Sequence, residues 1–284
     1  EVLVGAIMEH LEEAGIHSGD STCFIPPQNV SDDVLKQVDD WTRKIGIELG
    51  IVGCYNIQFA IRDKTLYVLE VNPRGSRTFP FVAKATGVPL ARIAAMVALG
   101  EKLSDLNIPE RQDEAVCVKA PVFPFIKLRG LDPAPGPEMK STGEVMGSHE
   151  RASAAYLKAR LATESPVPTE GGVYITVKDT DKESIIVQAK SLIELGFKIY
   201  ATRGTASVLR DKGGLDVETC YRITEGLTPD ALDLMRQGKI QLIINTPRNT
   251  GGAVLDGNMM RRLAVELNIP FVTTMAGARM EVLA

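Results

Sequence analysis

The sequence predicts a mixed fold: an α+β first part, and a second part of α/β type built on a doubly wound parallel sheet. Three observations point there. From residue 173 onward, short β-branched runs alternate with stretches of helical periodicity, the pattern of strands joined by crossover helices. In the first ninety residues, two alternating strands flank a polar turn and follow one charged helix. Between the two parts lies Ser165-Pro166-Val167-Pro168-Thr169-Glu170-Gly171-Gly172, a linker by composition. The expected divisions are residues 1–91, 92–165 and 166–284.

In order along the chain, Asp32 to Leu49 reads as a helix. Ser31 stands at its cap, Asp32 and Asp33 suit its positive end, and Trp41, Ile45 and Leu49 repeat at core-facing spacing. Ile93 to Leu99 forms a second helix stopped at Gly100. Pro121, Pro124, Pro133, Pro135 and Pro137 then fix extended and turn backbone, before a helix over Ser148 to Leu161. In the last part, strands are expected at Tyr174–Val177, Lys198–Ala201, Gln241–Ile244 and Pro270–Val272. Helices are expected at Lys182–Leu195, from near Gly204, and over about Asn258–Leu267. No repeat of solenoid period is present.

Composition narrows the classes. A formal net charge of -4 offers no basic surface for nucleic acid. No apolar run reaches the ~18 residues needed to cross a bilayer. Cys23, Cys54, Cys117 and Cys220 are scattered without a paired spacing, so they read as buried apolar residues of a reduced, cytoplasmic protein. The chain opens on Glu1 with Val2, Leu3, Val4 and Ile7 already apolar, which reads as the middle of an element in a fragment whose true chain begins far upstream.

The most informative stretch is Asn56-Ile57-Gln58-Phe59-Ala60-Ile61, a turn at Arg62-Asp63-Lys64, then Leu66-Tyr67-Val68-Leu69-Glu70-Val71-Asn72-Pro73-Arg74. A turn centred on Lys64 sets Gln58 across from Glu70, and period-two geometry gathers Asn56, Gln58, Glu70 and Asn72 on one face. Ile57, Phe59, Ile61, Leu69 and Val71 are then expected to face a core. One carboxylate flanked by amide oxygens suits a hard cation such as magnesium, which shares ligands with phosphates. Arg74 and Arg77 follow, and guanidinium groups grip phosphoryl oxygens. Geometry alone leaves open whether this is a cation site or a solvated sheet face.

The wording of the segment carries a resemblance. Glu70-x-Asn72-Pro73-Arg74 resembles the metal-binding motif of ATP-grasp ligases, and Gly75-Ser76-Arg77-Thr78-Phe79-Pro80-Phe81-Val82-Ala83-Lys84-Ala85-Thr86-Gly87-Val88-Pro89 is similar specifically to carbamoyl-phosphate synthases. Biotin carboxylases share only the short core. Ile7 to Ser21 and Gly136 to Gly147 match the same family. The resemblance implies the end of the second ATP-grasp half of a large subunit, which phosphorylates carbamate with ATP as substrate. It implies Gln58, Glu70 and Asn72 as ligands of Mg2+ or Mn2+, and Arg74 and Arg77 at the transferring phosphoryl group. Gln58 and Glu70 also count among the nucleotide contacts, with Gly15, Ile16, His17 and Ser18. Read by itself, His17 is an ordinary loop residue. The lysine and glycine-loop parts of such a site lie upstream, so this stretch alone is expected to turn over nothing. Partners implied are a glutaminase small subunit, a nucleotide effector and, as an open option, further copies in a homo-oligomer.

Ala201-Thr202-Arg203-Gly204-Thr205-Ala206 joins a strand end to a helix start, where backbone N–H groups and two hydroxyls suit a phosphate-sized anion. The last domain resembles the methylglyoxal-synthase-like regulatory fold that ends this family. The resemblance implies an allosteric nucleoside monophosphate site of Lys182, Thr202, Thr205, Arg222, Asn245 and Thr246, for UMP or IMP. Thr246 stands where methylglyoxal synthases place an aspartate, and Thr224-Glu225-Gly226 lacks another, so binding without isomerase chemistry is expected. An isolated regulatory module that binds a nucleotide without catalysis is the alternative reading. Glu12, Asp20 and Thr273 match an ornithine site of some members. Ala120 and Val272 supply no carboxylates there and Phe271 replaces a tyrosine, so ornithine is not the expected effector.

Overall fold

The computed structural model describes residues 1–111, 114–124, 133–163, 165–246 and 252–284. The chain forms two compact units: Glu1–His10, Ser18–Pro121 and Glu144–Ala159 make the first, and Leu11–His17, Val122–Gly143 and Arg160–Ala284 the second.

In chain order the first part contains β1 (Glu9–His10), β2 (Cys23–Ile25), α1 (Asp32–Glu48), β3 (Asn56–Arg62), β4 (Thr65–Asn72), α2 (Thr78–Thr86), α3 (Leu90–Ala98), β5 (Val116–Val122), β6 (Gly143–His149) and α4 (Ala152–Ala162). A four-stranded sheet runs in the order β1-β2-β5-β6, and β3 pairs with β4 alone. Ile25 and Cys117 pack under Phe81 and Val82 of α2, Leu90 and Ile93 of α3, and Val88 between the two helices.

Several expectations are corrected here. Ser31 holds the cap position of α1 but makes no side-chain capping bond. Leu49 is 62% exposed, because the helix ends one residue before it and the chain turns away; Val38 and Gly46 are the residues α1 buries. The helix foreseen from Ser148 begins at Ala152, since Gly143–His149 is taken by β6. That strand lies so close to α4 that a Cβ on Gly147 would sit 2.2 Å from the Ala155 carbonyl oxygen, a space only glycine fits. α2 and β5 were not foreseen. Of the Pro-rich section, residues 125–132 lie outside the described residues, as does Pro247.

The second part contains β7 (Gly172–Thr176), α5 (Ile185–Glu194), β8 (Lys198–Thr202), α6 (Arg203–Asp211), β9 (Glu218–Cys220), α7 (Ala231–Arg236), β10 (Leu242–Asn245), α8 (Gly252–Glu266), β11 (Phe271–Val272) and α9 (Met275–Leu283). The sheet is five-stranded, in the order β11-β10-β7-β8-β9, with parallel pairing throughout. Alternate residues go to opposite faces. Val173, Ile175, Ile199 and Ile244 pack beneath Ile185, Leu192, Leu209 and Ala278 of α5, α6 and α9. Tyr174, Tyr200 and Ile243 pack on Leu234, Met235, Met260 and Ala264 of α7 and α8. Helices therefore cover both faces, as the alternation of elements predicts. α8 begins six residues before the expected Asn258, while β9, α7 and α9 were not foreseen.

Among the described residues no single helix is long and apolar enough to cross a membrane.

Candidate functional site

The hairpin of the first unit brings Gln58 opposite Glu70 and Asn56 opposite Asn72, as expected, but by a different route. Its turn is tighter than foreseen: Arg62 pairs with Thr65, with Asp63 and Lys64 at φ 50 and 64. Continued without a break, that register would set Gln58 against Leu69. A bulge between Gln58 and Phe59 in the pairing, which passes from Val68 to Glu70, adds one residue and restores Glu70 to the polar face. It also removes Leu69 from the apolar face. Leu69 is 48% and Ile61 49% exposed, while Leu66 is the buried residue, so the expected core face is only partly realised.

Glu70, Asn72 and Arg74 are already tied together. Asn72 Nδ2 donates to Glu70 Oε1 at 2.9 Å, and Arg74 Nη2 donates to Asn72 Oδ1 at 3.4 Å. On the same face Asn56 Oδ1 is buried with no hydrogen-bond donor. A buried acceptor without a donor is costly unless a cation or donor arrives. The donor set of one carboxylate, Glu70, and the amide oxygens of Gln58, Asn72 and Asn56 fits a hard divalent cation. Among the described residues, no cluster of three or more His, Cys, Asp or Glu side chains could hold a metal by itself.

Three further polar residues of this unit escaped the sequence reading. Lys119 is fully buried on β5, donating to the Ser18 carbonyl at 2.9 Å and lying 3.9 Å from Glu144 Oε2. Burial pushes the Glu144 carboxyl up, opposed by Lys119 and Arg77. His10 on β1 is pushed down to about 4, first by burial and then by the Lys119 charge. The signal was a lysine in the middle of the apolar run Val116–Val122. Of the expected nucleotide residues, Gly15, Ile16 and His17 fall in the second unit and Ser18 in the first. Gly15 takes φ 98, and the His17 amide donates to the Gly136 carbonyl at 2.9 Å.

In the second unit, a cleft opens at the carboxyl ends of β7, β8 and β10. The sheet order reverses between β7 and β10, and open parallel sheets bind ligands at such a point. Lys182, Thr202, Thr205, Arg222, Asn245 and Thr246 all line it. Thr202 is the cap residue of α6 yet makes no capping bond; its hydroxyl lies 3.5 Å from that of Thr176, which also lines the cleft. A Cβ on Gly204 would lie 2.9 Å from Lys182 Nζ, so glycine lets the ammonium approach the positive end of the helix. Asn245 is oriented from behind by Arg261 Nη1, which donates to its Oδ1 at 3.0 Å. Lys178 and Asp256 line the cleft too and were missed. Asp256 accepts from the Thr224 amide at 2.9 Å and from the Thr224 hydroxyl at 3.3 Å. Nothing local distinguishes these two in the sequence, since only the fold carries α8 and the end of β7 to one cleft.

Two families match separate parts of the chain. Residues 2–106 match the family described as "Carbamoyl-phosphate synthase L chain, ATP binding domain", and residues 184–273 the family "MGS-like domain". The fold and the two family matches thus define a two-part α/β protein: a segment of an ATP-binding ligase domain, and an MGS-like domain. The carbamoyl phosphate synthase large chain of Methanothermobacter thermautotrophicus is 50% identical over 283 residues, covering 98% of this chain and 26% of that one. The "Carbamoyl phosphate synthase large chain, C-terminal section" of Methanocaldococcus jannaschii is 47% identical, covering 100% of this chain and 47% of that one. A solved N5-carboxyaminoimidazole ribonucleotide synthetase from Thermus thermophilus is 15% identical with a TM-score of 0.43 over 58% of this chain and 46% of its own, too slight a likeness to add to the fold. The chain belongs to the carbamoyl phosphate synthase large-chain family, and spans about a quarter of the length of the full-length members it matches.

Proposed function

We propose that this stretch supplies the cation-binding and phosphoryl-binding face with which a carbamoyl phosphate synthase large chain phosphorylates carbamate, and that its last domain is a regulatory nucleotide site. The observation that carries the first part is the register setting Gln58 against Glu70 and Asn56 against Asn72, with Arg74 hydrogen-bonded to Asn72. In the reaction, a carbamate oxygen attacks the γ-phosphorus of ATP, and the bond from that phosphorus to ADP breaks. Mg2+ or Mn2+, when bound, neutralises charge on the phosphates. Glu70, Gln58 and Asn72 hold the ion. Arg74 and Arg77 offer planar donors to the equatorial oxygens, whose charge is greatest in the transition state. Asn56, with its free acceptor, joins the cation ligands or the water around them.

The resemblance supports Gly15, Ile16, His17 and Ser18 as nucleotide contacts, and a glutaminase small subunit as the partner supplying ammonia. For the last domain the cleft favours an anion. Hydroxyls of Thr202, Thr205 and Thr246, the start of α6, and the cations of Lys182 and Arg222 converge on a space that suits the phosphate of UMP or IMP. Ala120 and Val272 add no carboxylate for ornithine. The test uses a full-length large chain containing this stretch. Carbamoyl phosphate and ADP should yield ATP and carbamate by reversal of the step, and Arg74→Ala should abolish that yield in a folded protein. Undiminished ATP formation by the variant would remove Arg74 from the reaction.

A further inference from the structure

Two of the cations that line the cleft of the second unit, Lys178 and Lys182, are paired with carboxylates of the same unit. Lys182 Nζ lies 2.7 Å from Asp179 Oδ1. Lys178 Nζ lies 2.9 Å from Glu13 Oε1 and 3.8 Å from Asp181 Oδ2. Asp179 and Asp181 are sequence neighbours of the lysines they meet, so those pairs are local. Glu13 is not: it comes from the segment Leu11–His17, 165 residues away along the chain.

Two features make Lys178 a shared residue. Its backbone amide donates to the Thr246 hydroxyl at 3.0 Å, which fixes the start of its side chain beside one of the cleft's hydroxyls. Its side chain is 32% exposed and that of Glu13 70%, so the pair is accessible and can be exchanged. A lysine ammonium on a four-carbon stem reorients easily among acceptors. A phosphate monoester brings up to two charges and three oxygens, and competes well with a single carboxylate. Glu13 also shares its segment with Gly15, Ile16 and His17.

We propose that Lys178 is held by Glu13 while the cleft is empty and by the phosphate of a bound phosphomonoester when it is filled, so that filling the cleft loosens the segment Leu11–His17. This inference rests on the reading of the cleft as an anion site. It deepens that reading by naming the contact through which occupancy reaches residues tied by the resemblance to ATP. Because coupling is reciprocal, loosening the pair must strengthen anion binding by the same factor that anion binding loosens the pair. An exposed ion pair limits that factor to about fivefold.

The test titrates the full chain with inorganic phosphate and with UMP by calorimetry at fixed ionic strength, comparing the wild type, Glu13→Gln and the control Glu194→Gln. Glu194 is an exposed glutamate of α5 that sits 4.0 Å from Lys190. Glu13→Gln should bind both probes about two- to fivefold more tightly, with the control unchanged. Removing a negative charge near an anion site raises affinity even without exchange of partners, so hydrogen exchange supplies the second readout. Saturating phosphate should speed exchange of the amides in Leu11–His17, His17 above all, in the wild type. In Glu13→Gln the exchange should already be fast and insensitive to phosphate. Equal affinities for wild type and Glu13→Gln, or wild-type exchange unmoved by saturating phosphate, overturn the link while the anion reading stands. No binding of either probe to the wild type overturns the anion reading itself, and the link with it.

Discussion

Thr205→Val is the sharpest probe of the cleft. Thr205 is the third residue of α6, is 1% exposed, and lines the cleft beside Thr202 and Lys182. Valine keeps the branched shape, so packing survives and only the hydroxyl is lost. A hydrogen bond to a charged group contributes roughly 1.5–3 kcal/mol. The Thr205 side chain itself is buried at the cleft wall, so water cannot easily replace its hydroxyl. At about 1.4 kcal/mol per tenfold, affinity for UMP or inorganic phosphate should fall roughly 10- to 150-fold. Calorimetry on the folded variant measures this, and wild-type binding should itself weaken with added salt, since the cleft is open to solvent. Wild-type affinity in a folded Thr205→Val protein would refute the placement of the phosphate at the start of α6.

Three further outcomes follow from packing and charge. His10 sits at about 4 in the fold against 6.5 ordinarily, so the fold favours its neutral ring. The associated stability is complete above about pH 6.5 and is lost as pH falls toward 4, by about 2 kcal/mol after allowing for the accessible part of the ring. Urea denaturation of wild type against His10→Gln between pH 7.5 and 4.5 should show that slope in the wild type alone, and parallel curves would contradict it. Glu144→Gln should cost about 1–3 kcal/mol by leaving the buried Lys119 ammonium less compensated, below the usual loss for a fully buried pair because 3.9 Å is not a direct hydrogen bond. An unchanged urea midpoint at pH 7 would count against that. Arg160 on α4 pairs with Glu281 on α9 at 2.7 Å, with both side chains largely buried. A chain begun at Ala152 should therefore melt well above one begun at Gly172, by several degrees for about 1–3 kcal/mol, and equal melting would show the pair to be idle.

The second unit was legible because its strands are short apolar runs bounded by glycine and its helices carry clear periodicity. The elements that escaped are those with weak local signals. α2 opens on Thr78-Phe79-Pro80, and a proline in the first turn looks like a break although it is tolerated there. The end of α2, Gly87 at φ 73, was in plain view. β5 ends across Pro121, and proline argues against a strand except near an end or edge. α7 is short, yet its capping box of Asp230 and Asp233 was readable. The hairpin shows how a right register can rest on two compensating facts. The turn lies half a residue from where the pattern put it, and the bulge at Leu69 cancels the difference. Lys178, Asp256 and Glu144 could not be singled out, because their surroundings come from distant segments that only the folded chain brings together; Lys119 was readable as a lysine inside an apolar run.

The most direct test of the whole account is Glu70→Gln in a full-length large chain, read as ATP formed from carbamoyl phosphate and ADP while Mg2+ or Mn2+ is titrated. Glu70 is the only carboxylate among Asn56, Gln58, Glu70 and Asn72, and its Oε1 already orients the Asn72 amide. Loss of that charge should cut turnover by orders of magnitude, with glutamine leaving the hairpin folded and excess metal restoring only part of the rate. Near wild-type turnover at saturating metal would contradict the assignment of this face to the cation.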